Sequence, residues 1–191
     1  DEIKESIEDN HFQASKDVLT SYYHILPDSD LLTGKSLVIG GSHQVHPIKE
    51  DIQYGDLSAV LLQNSPFWAN FIRTPELSIA LMDEWENKIE SLAQHTIEED
   101  VTSIAGVPTW TLVLLKRILA ITGKKNIKEV WPNFELYIHG GVSFTPYKEQ
   151  FKKIIGPHCN YIEIYNASEG FFAAQDRIDQ EGMLLYLQHG I

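Results

Sequence analysis

Val101–Trp110, with the sequence VTSIAGVPTW, joins a strand pattern to the start of a helix. Val101 to Val107 is an apolar run with the length and composition of a buried strand. Pro108 then takes a first helical position, where its missing N–H costs no hydrogen bond, and the helix is predicted to end at Gly123. A strand that leads directly into a helix is the repeating unit of a helix-covered parallel sheet.

The same alternation continues after this segment. A strand is predicted over Phe134–His139, a helix from about Pro146 to Ile155, and a further strand over Tyr161–Tyr165. Helices rather than tight hairpins separate these strands, so we expect a largely parallel sheet with right-handed crossovers. The predicted class is α/β, with residues 1–191 forming a single unit.

The remaining segments carry weaker patterns. The sequence predicts helices over Asp1–Leu26, from Ser65-Pro66, from Thr74-Pro75 to about His95 and over Lys124–Trp131, and strands over Ser36–Gly41 and Met183–Leu187. Leu57–Leu62 is apolar, but periodicity does not assign it to a helix or a strand.

Composition restricts the classes of partner. The 191 residues are 43% hydrophobic, which is enough for one domain with a buried core. The net charge of −12 leaves no basic face for a nucleic acid, and no apolar run approaches the roughly 20 residues of a membrane span. The lone cysteine, Cys159, cannot form an internal disulfide and favours a reducing compartment. We expect a cytoplasmic protein that binds neither nucleic acid nor a membrane, and the oligomeric state stays open.

The loops after the strands are where a ligand is expected, because open α/β sheets bind ligands beyond the carboxyl ends of their strands. In Tyr165–Gly170, YNASEG, a strand delivers Ser168 and Glu169 side by side to that edge. A carboxylate is a suitable ligand for Mg²⁺, and a hydroxyl can donate a hydrogen bond to a phosphate. Taken alone, the segment also fits an ordinary strand exit in which Ser168 caps the next element.

Two other strand ends are candidates. Gly140 and Gly141 leave two residues without side chains after a strand, so that backbone can approach a flat ligand closely, although glycine pairs also end strands routinely. Trp110 lies in the first turn of its predicted helix, where it could form a wall of an apolar acyl pocket or simply fill the core.

Three other patterns are rejected as sites. Gly34-Lys35-Ser36 resembles the end of a phosphate-binding loop, but the earlier glycine is missing and a strand follows instead of a helix. His43 and His46 have no third metal ligand at a suitable spacing. Cys159 lies in a helix-to-strand connection without a companion motif for nucleophilic catalysis.

The order of the three strand-end motifs along the chain is more informative than each motif by itself. Ala105–Trp110 reads AGVPTW, His139–Tyr147 reads HGGVSFTPY and Tyr165–Gly170 reads YNASEG. In this order they resemble the auxin-responsive acyl acid amido synthetases, a family of adenylate-forming enzymes related to acyl-CoA synthetases and firefly luciferase. Leu31–His43 is similar to bacterial members. The resemblance covers nearly the whole chain and implies part of the large N-terminal domain of such an enzyme.

The resemblance implies roles for individual residues. The implied ATP site consists of Gly140, Gly141, Val142, Tyr165, Asn166, Ala167 and Ser168. Glu169 would hold Mg²⁺, and Ser168 would lie near the α-phosphate, so these two are the implied catalytic residues. Phe171 would line the acyl pocket with Trp110 beside it.

The reaction implied by the resemblance has two steps. A carboxylic acid attacks the α-phosphate of ATP to give an acyl-adenylate and pyrophosphate, and the acyl group then passes to an amine such as an amino acid. Two alternatives stay open: transfer of the acyl group to coenzyme A or a carrier protein, and a non-enzymatic α/β interaction module with a decayed nucleotide site.

Several parts of the family pattern do not occur in these 191 residues. They are the phosphate-binding loop, the later segment whose aspartate holds the ribose, and the mobile C-terminal domain. We therefore interpret the sequence as an internal fragment with about half of a nucleotide site, which is expected to be inactive by itself and to bind ATP weakly.

Overall fold

A computed structural model of the protein describes residues 7–41, 46–49, 52–178 and 180–187. The strands of these residues are β1 Lys35–Val38, β2 His46–Lys49, β3 Ile52–Tyr54, β4 Arg73–Thr74, β5 Val101–Ala105, β6 Leu136–His139, β7 Asn160–Ala167, β8 Gly170–Ala174 and β9 Leu184–Leu185. The pair β2 and β3 forms a separate antiparallel sheet. The other strands form one sheet in the order β4-β1-β5-β6-β7-β8-β9.

The main sheet is largely parallel, as predicted. Strands β4, β1, β5, β6 and β7 run parallel to one another, and β8 and β9 add an antiparallel edge. In the centre, Ile104 of β5 is paired with Tyr137 of β6, which is paired with Tyr161 of β7. The parallel strands therefore place their carboxyl ends at one edge, where the predicted site residues follow β5, β6 and β7.

Helices cover the strands. A π-helical turn, Ile7–Phe12, leads into the first α-helix. The α-helices are α1 Gln13–Ile25, α2 Leu57–Gln63, α3 Ala69–Ile72, α4 Leu77–Ala80, α5 Trp85–Thr96, α6 Pro108–Thr122 and α7 Lys148–Ile155, with a 3₁₀ turn at Ile127–Glu129. No helix among the described residues is long and apolar enough to cross a membrane.

The helix predicted over Pro108–Gly123 is confirmed. Pro108 is the first residue of α6, and Gly123 follows its last turn with a φ of 67°, a left-handed conformation that glycine adopts at little cost. The side chains of Leu114, Leu115 and Ile118 are fully buried against the sheet. The sequence of α6 thus fixes both its ends and its buried face.

Other helix predictions were wrong. Lys124–Trp131 contains only the 3₁₀ turn, because Asn126 caps it by accepting a hydrogen bond from the Glu129 N–H and Trp131 turns inward to the core. The single helix predicted from Pro75 to His95 is instead two helices, α4 and α5, with β4 immediately before them. Short helices α2 and α3 occupy the segments around Leu57–Leu62 and Ser65-Pro66.

Predicted strands and helices also differ in length from the structure. The strand predicted over Met183–Leu187 is only the two-residue β9, and the hairpin of β2 and β3 was not predicted. The helix predicted over Asp1–Leu26 is described from Ile7 onward and ends at Ile25, while residues 1–6 lie outside the described part of the chain.

Two hydrophobic clusters flank the sheet. On one face, Leu92 of α5, Leu115 of α6 and Phe151 of α7 pack with Tyr137 of β6. On the other face, the α1 side chains pack against the neighbouring strands; this cluster includes Ala14, Val18, Tyr22, Leu136, Ile162 and Phe171. Alternate residues of β6 and β7 therefore face opposite layers, which explains why both strands contribute apolar side chains to both clusters.

Candidate functional site

A cavity of about 590 Å³ opens at the carboxyl ends of the parallel strands. Its walls come from the residues that follow β1, β5 and β6, from the end of β7, and from the beginnings of α1 and α5. Most of the wall is apolar, and the volume of the cavity is that of a pocket for a small organic molecule. The cavity lies where ligands of open α/β sheets bind.

The structure brings five of the predicted site residues to this cavity: Trp110, Gly140, Gly141, Asn166 and Phe171. The other five, Val142, Tyr165, Ala167, Ser168 and Glu169, are not part of its lining. The acyl candidates and the glycine pair therefore share one cavity, and the candidate phosphate and metal residues lie outside it.

Two aromatic residues form parts of the cavity wall. Trp110 in the first turn of α6 packs on Trp85 with ring centroids 4.2 Å apart, yet 47% of Trp110 is exposed. Phe171 of β8 is buried, and its N–H donates to Asn10 Oδ1 at 2.8 Å, which ties β8 to the turn before α1. Trp110 is thus a partly open wall available to a ligand, whereas Phe171 is a fixed one.

The glycine pair after β6 brings bare backbone to the cavity. A Cβ at Gly140 would lie 2.5 Å from the carbonyl oxygen of Ile164 on the neighbouring strand β7, so no side chain fits there without moving a strand. Gly141 has a φ of 80°, a left-handed conformation that disfavours other residues. A flat ring could approach this backbone closely, so the segment suits one wall of a nucleotide site.

We expect Gly140→Ala to destabilise the protein by about 1–3 kcal/mol, because the added methyl forces β6 and β7 apart. A loss of this size lowers the melting temperature by several degrees in thermal unfolding followed by circular dichroism. Gly123→Ala is the matched control: its added Cβ meets nothing within 4 Å, so only the backbone penalty of about 1 kcal/mol applies. A Gly140→Ala protein that melts at or above the Gly123→Ala melting temperature, with a loss below about 1 kcal/mol, would contradict the close approach.

The segment Tyr165–Gly170 is a hairpin and not a strand exit into a loop. β7 continues to Ala167, Ser168 and Glu169 form the turn, and β8 begins at Gly170, which is paired with Ala167. The strand predicted over Tyr161–Tyr165 extends through Asn166 to Ala167, so its predicted end was two residues too early. Ser168 and Glu169 therefore project from the tip of two paired strands.

The side chains at this tip are accessible. Ser168 and Glu169 are both exposed, and Tyr165 is 54% exposed with its ring packed on Phe172 at a centroid distance of 5.2 Å. An exposed carboxylate beside a hydroxyl retains its acceptor oxygens for a metal ion or its hydration shell. The chemistry of this pair fits the proposed Mg²⁺ and phosphate roles.

His139, the last residue of β6, is held uncharged. Burial, with a smaller contribution from the Lys148 charge, lowers the pKa of His139 to about 4. Its ring stacks on Phe144 with centroids 3.9 Å apart. The residue beside the glycine pair is therefore a neutral aromatic surface at physiological pH.

Sequence reasoning missed two buried polar residues of the cavity. His11 is 5% exposed, and burial lowers the pKa of its imidazole. Lys88 is 1% exposed and belongs to α5. Neither lies in a recognisable motif; the only signal was their position on the buried face of a helix, which becomes visible once the neighbouring elements are placed.

The rejected patterns have structural explanations. Gly34 and Lys35 lie at the amino end of β1, opposite the edge that carries the cavity. Burial raises the pKa of the Cys159 thiol to about 12, so the thiol is protonated and a poor nucleophile at neutral pH. His43 and the side chain of His46 lie outside the described residues.

Comparison with known protein families gives one decisive match. A family model described as GH3 family N-terminal domain matches residues 5–159, well over half of the chain. The chain belongs to the GH3 family. This is the family of the auxin-responsive acyl acid amido synthetases, and its members are adenylate-forming enzymes. No curated protein matches the sequence.

The GH3 match covers only some of the candidate residues. Trp110 and the glycine pair lie within the matched residues, whereas Tyr165–Gly170 and Phe171 lie beyond residue 159. The roles assigned to the hairpin therefore depend on the motif itself and on its position beside the cavity.

Proposed function

We propose that this GH3 chain is part of the N-terminal domain of a larger, bacterial-type enzyme that activates a carboxylic acid with ATP and transfers it to an amine or amino acid. The observation that supports this most directly is a cavity at the carboxyl edge of the sheet, which is lined by Trp110, Phe171 and the Gly140–Gly141 backbone. Family membership supports the adenylate-forming chemistry.

The proposed reaction balances as two substitutions. A carboxylate oxygen of the acid forms a bond to the α-phosphorus of ATP, and the bond to pyrophosphate breaks. The amine nitrogen then forms a bond to the acyl carbon, AMP leaves, and the nitrogen loses a proton. Alignment of two anions and neutralisation of their charge are the main requirements of the first step.

The residues divide between the acid and ATP in this proposal. The acid lies in the cavity, with Trp110 and Phe171 against its body. Gly140, Gly141, Val142 and Tyr165 take the adenine side, with Asn166, Ala167 and Ser168 continuing toward the phosphates. Glu169 would hold Mg²⁺, which would neutralise phosphate charge.

The partners in this proposal are small molecules. The apolar lining favours an acid with an apolar or aromatic body, and the amine would be selected by residues outside these 191. We place the enzyme in the cytoplasm on the basis of its lone, unpaired cysteine, Cys159.

Acid-dependent exchange of labelled pyrophosphate into ATP, measured on the full-length protein, tests the proposal. We expect exchange to require both Mg²⁺ and a carboxylic acid, and an amino acid to discharge the adenylate as an amide. Absence of exchange with a broad panel of aryl and alkyl carboxylates would overturn the proposed activity. If only coenzyme A discharges the acyl-adenylate, the adenylation step of the proposal stands and the acceptor is coenzyme A instead of an amine.

We expect Trp110→Ala to raise the KM for the acid about tenfold with little change in kcat. The reason is loss of about 1.4 kcal/mol of apolar contact from a wall that is already half open. The exchange assay provides both constants. Trp68→Ala, which removes another half-exposed tryptophan outside the cavity, is the control and should leave them unchanged. Equal KM values for both variants would remove Trp110 from the acid site.

A further inference from the structure

Lys88 is a buried lysine in the wall of the cavity. It lies in the first half of α5, is 1% exposed, and its Nζ donates to the carbonyl oxygens of Gly40 and Gly41 at 2.7 Å each. Lysine is rarely buried unless its ammonium is paired. Here backbone carbonyls supply the pairing, with the charges of Asp56 and Asp83 nearby.

The segment held by Lys88 is itself part of the cavity. Gly40 and Gly41 follow β1 and line the cavity beside the residues that follow β5 and β6. A Cβ at Gly40 would lie 2.5 Å from the Leu62 side chain. The segment is therefore pressed between α2 and the ammonium group, and its carbonyls are turned toward the lysine.

The same segment is also fixed from its other side. The Gly41 N–H donates to Ser58 Oγ at 2.6 Å, and Ser58 Oγ donates to Asp56. Asp56 caps α2 by accepting hydrogen bonds from backbone N–H groups in its first turn. A chain of polar contacts therefore runs from α5 through the two glycines to α2.

We propose that Lys88 is a positioning residue that holds Gly40 and Gly41 as one wall of the acid cavity and thereby sets how well the acid fits. This inference rests on the proposed function. Without the ammonium, the carbonyls of Gly40 and Gly41 lose their hydrogen-bond donor, and we expect this part of the wall to shift so that water can reach them. Lys88 acts through the wall and not on the reacting atoms.

This role predicts an effect on binding more than on turnover. Ser168 and Glu169, the residues proposed for phosphate and metal chemistry, are not part of the cavity lining. A displaced Gly40–Gly41 wall changes the fit of the acid while leaving that hairpin in place. The signature is a raised KM for the acid with kcat nearly unchanged.

Lys128 provides a matched control. Its Nζ donates to the carbonyl oxygen of Phe134 at 2.7 Å, so Lys128→Met also removes a lysine-to-carbonyl bond, but away from the cavity. The test measures acid-dependent pyrophosphate exchange in the full-length protein with benzoate, phenylacetate and hexanoate. Variants Lys88→Met, Ser58→Ala and Lys128→Met are compared with wild type.

We expect Lys88→Met to raise the KM for the acid at least tenfold, with kcat within threefold of wild type, and Lys128→Met to change neither. Ser58→Ala releases the same segment from its other side and should raise KM in the same direction. If Lys88→Met does not fold, Ser58→Ala decides. A KM within twofold of wild type in the folded Lys88→Met, or in Ser58→Ala where it decides, overturns the inference.

Failure of the proposed function gives a different result. In that case wild type shows no exchange with any of the acids, and amide hydrogen exchange of a peptide ending at Gly41 decides the role of Lys88. The positioning role is supported if amide hydrogen exchange of this peptide is at least tenfold faster in Lys88→Met than in wild type. If Lys88→Met does not fold, the same comparison is made with Ser58→Ala. Equal exchange rates overturn it.

Discussion

Glu169→Ala in the full-length protein is expected to lower acid-dependent pyrophosphate exchange by about 10²–10³-fold. The proposed reaction brings a carboxylate to a polyphosphate, and losing one preorganised electrostatic contact to the developing charge typically costs this much. Glu169 lies exposed in a hairpin turn, so the substitution should shift stability by no more than about 0.5 kcal/mol. A loss of exchange activity would therefore come from the chemical step and not from unfolding.

Two further variants test whether the effect comes from the charge of Glu169. Glu169→Gln keeps the size of the side chain and removes its charge, so it should lose nearly as much exchange as Glu169→Ala. Glu98→Ala removes another exposed carboxylate away from the site and should behave as wild type. Exchange at the wild-type rate in Glu169→Ala would exclude Glu169 from the mechanism.

Trp131→Ala should have the largest effect on stability, about 3–5 kcal/mol. Trp131 is completely buried, its ring packs near Phe134, and its Nε1–H donates to the carbonyl oxygen of Thr96 at 2.8 Å. The substitution leaves a large cavity at the junction of α5 with the core and removes one of the two hydrogen bonds to the Thr96 carbonyl. Thermal unfolding should show a melting temperature lower by about 6–20 °C.

Trp131→Phe separates the two contributions. It keeps a buried ring but removes the N–H donor and part of the volume, so a loss of about 1–3 kcal/mol is expected from the lost hydrogen bond to the Thr96 carbonyl and the looser packing. Trp68→Ala on the surface should cost much less than either. A Trp131→Ala protein that melts within 2 or 3 °C of wild type, taken here as roughly 1 kcal/mol, would show that this part of the core repacks.

The fold class was predictable where local and long-range requirements agreed. Val101–Ala105 is buried on both faces because helices cover both, and Pro108 and Gly123 mark the ends of α6 in the sequence itself. Lys124–Trp131 was mistaken for a helix because its apolar residues, among them Ile127 and Trp131, have helical spacing. They reach the core from a 3₁₀ turn instead.

The candidate site was only partly predictable for a related reason. Motifs at strand ends identified Trp110 and the Gly140–Gly141 pair, because a strand end fixes where its loop emerges. Lys88 could not be found in this way, since its role depends on carbonyls nearly fifty residues earlier in the chain. The roles in ATP, Mg²⁺ and acid binding came from the family resemblance and remain predictions.

The hairpin of β7 and β8 has a mechanical consequence. Phe171 lines the cavity one residue after the first pair of the hairpin, and Glu169 occupies its turn, so only Gly170 separates this part of the wall from the proposed metal ligand. The pairing of β7 with β8 ties the turn to this part of the wall. In the proposed enzyme, an acid that displaces Phe171 would therefore also shift the carboxylate at the turn, whereas a change in the Gly40–Gly41 wall would leave that carboxylate in place.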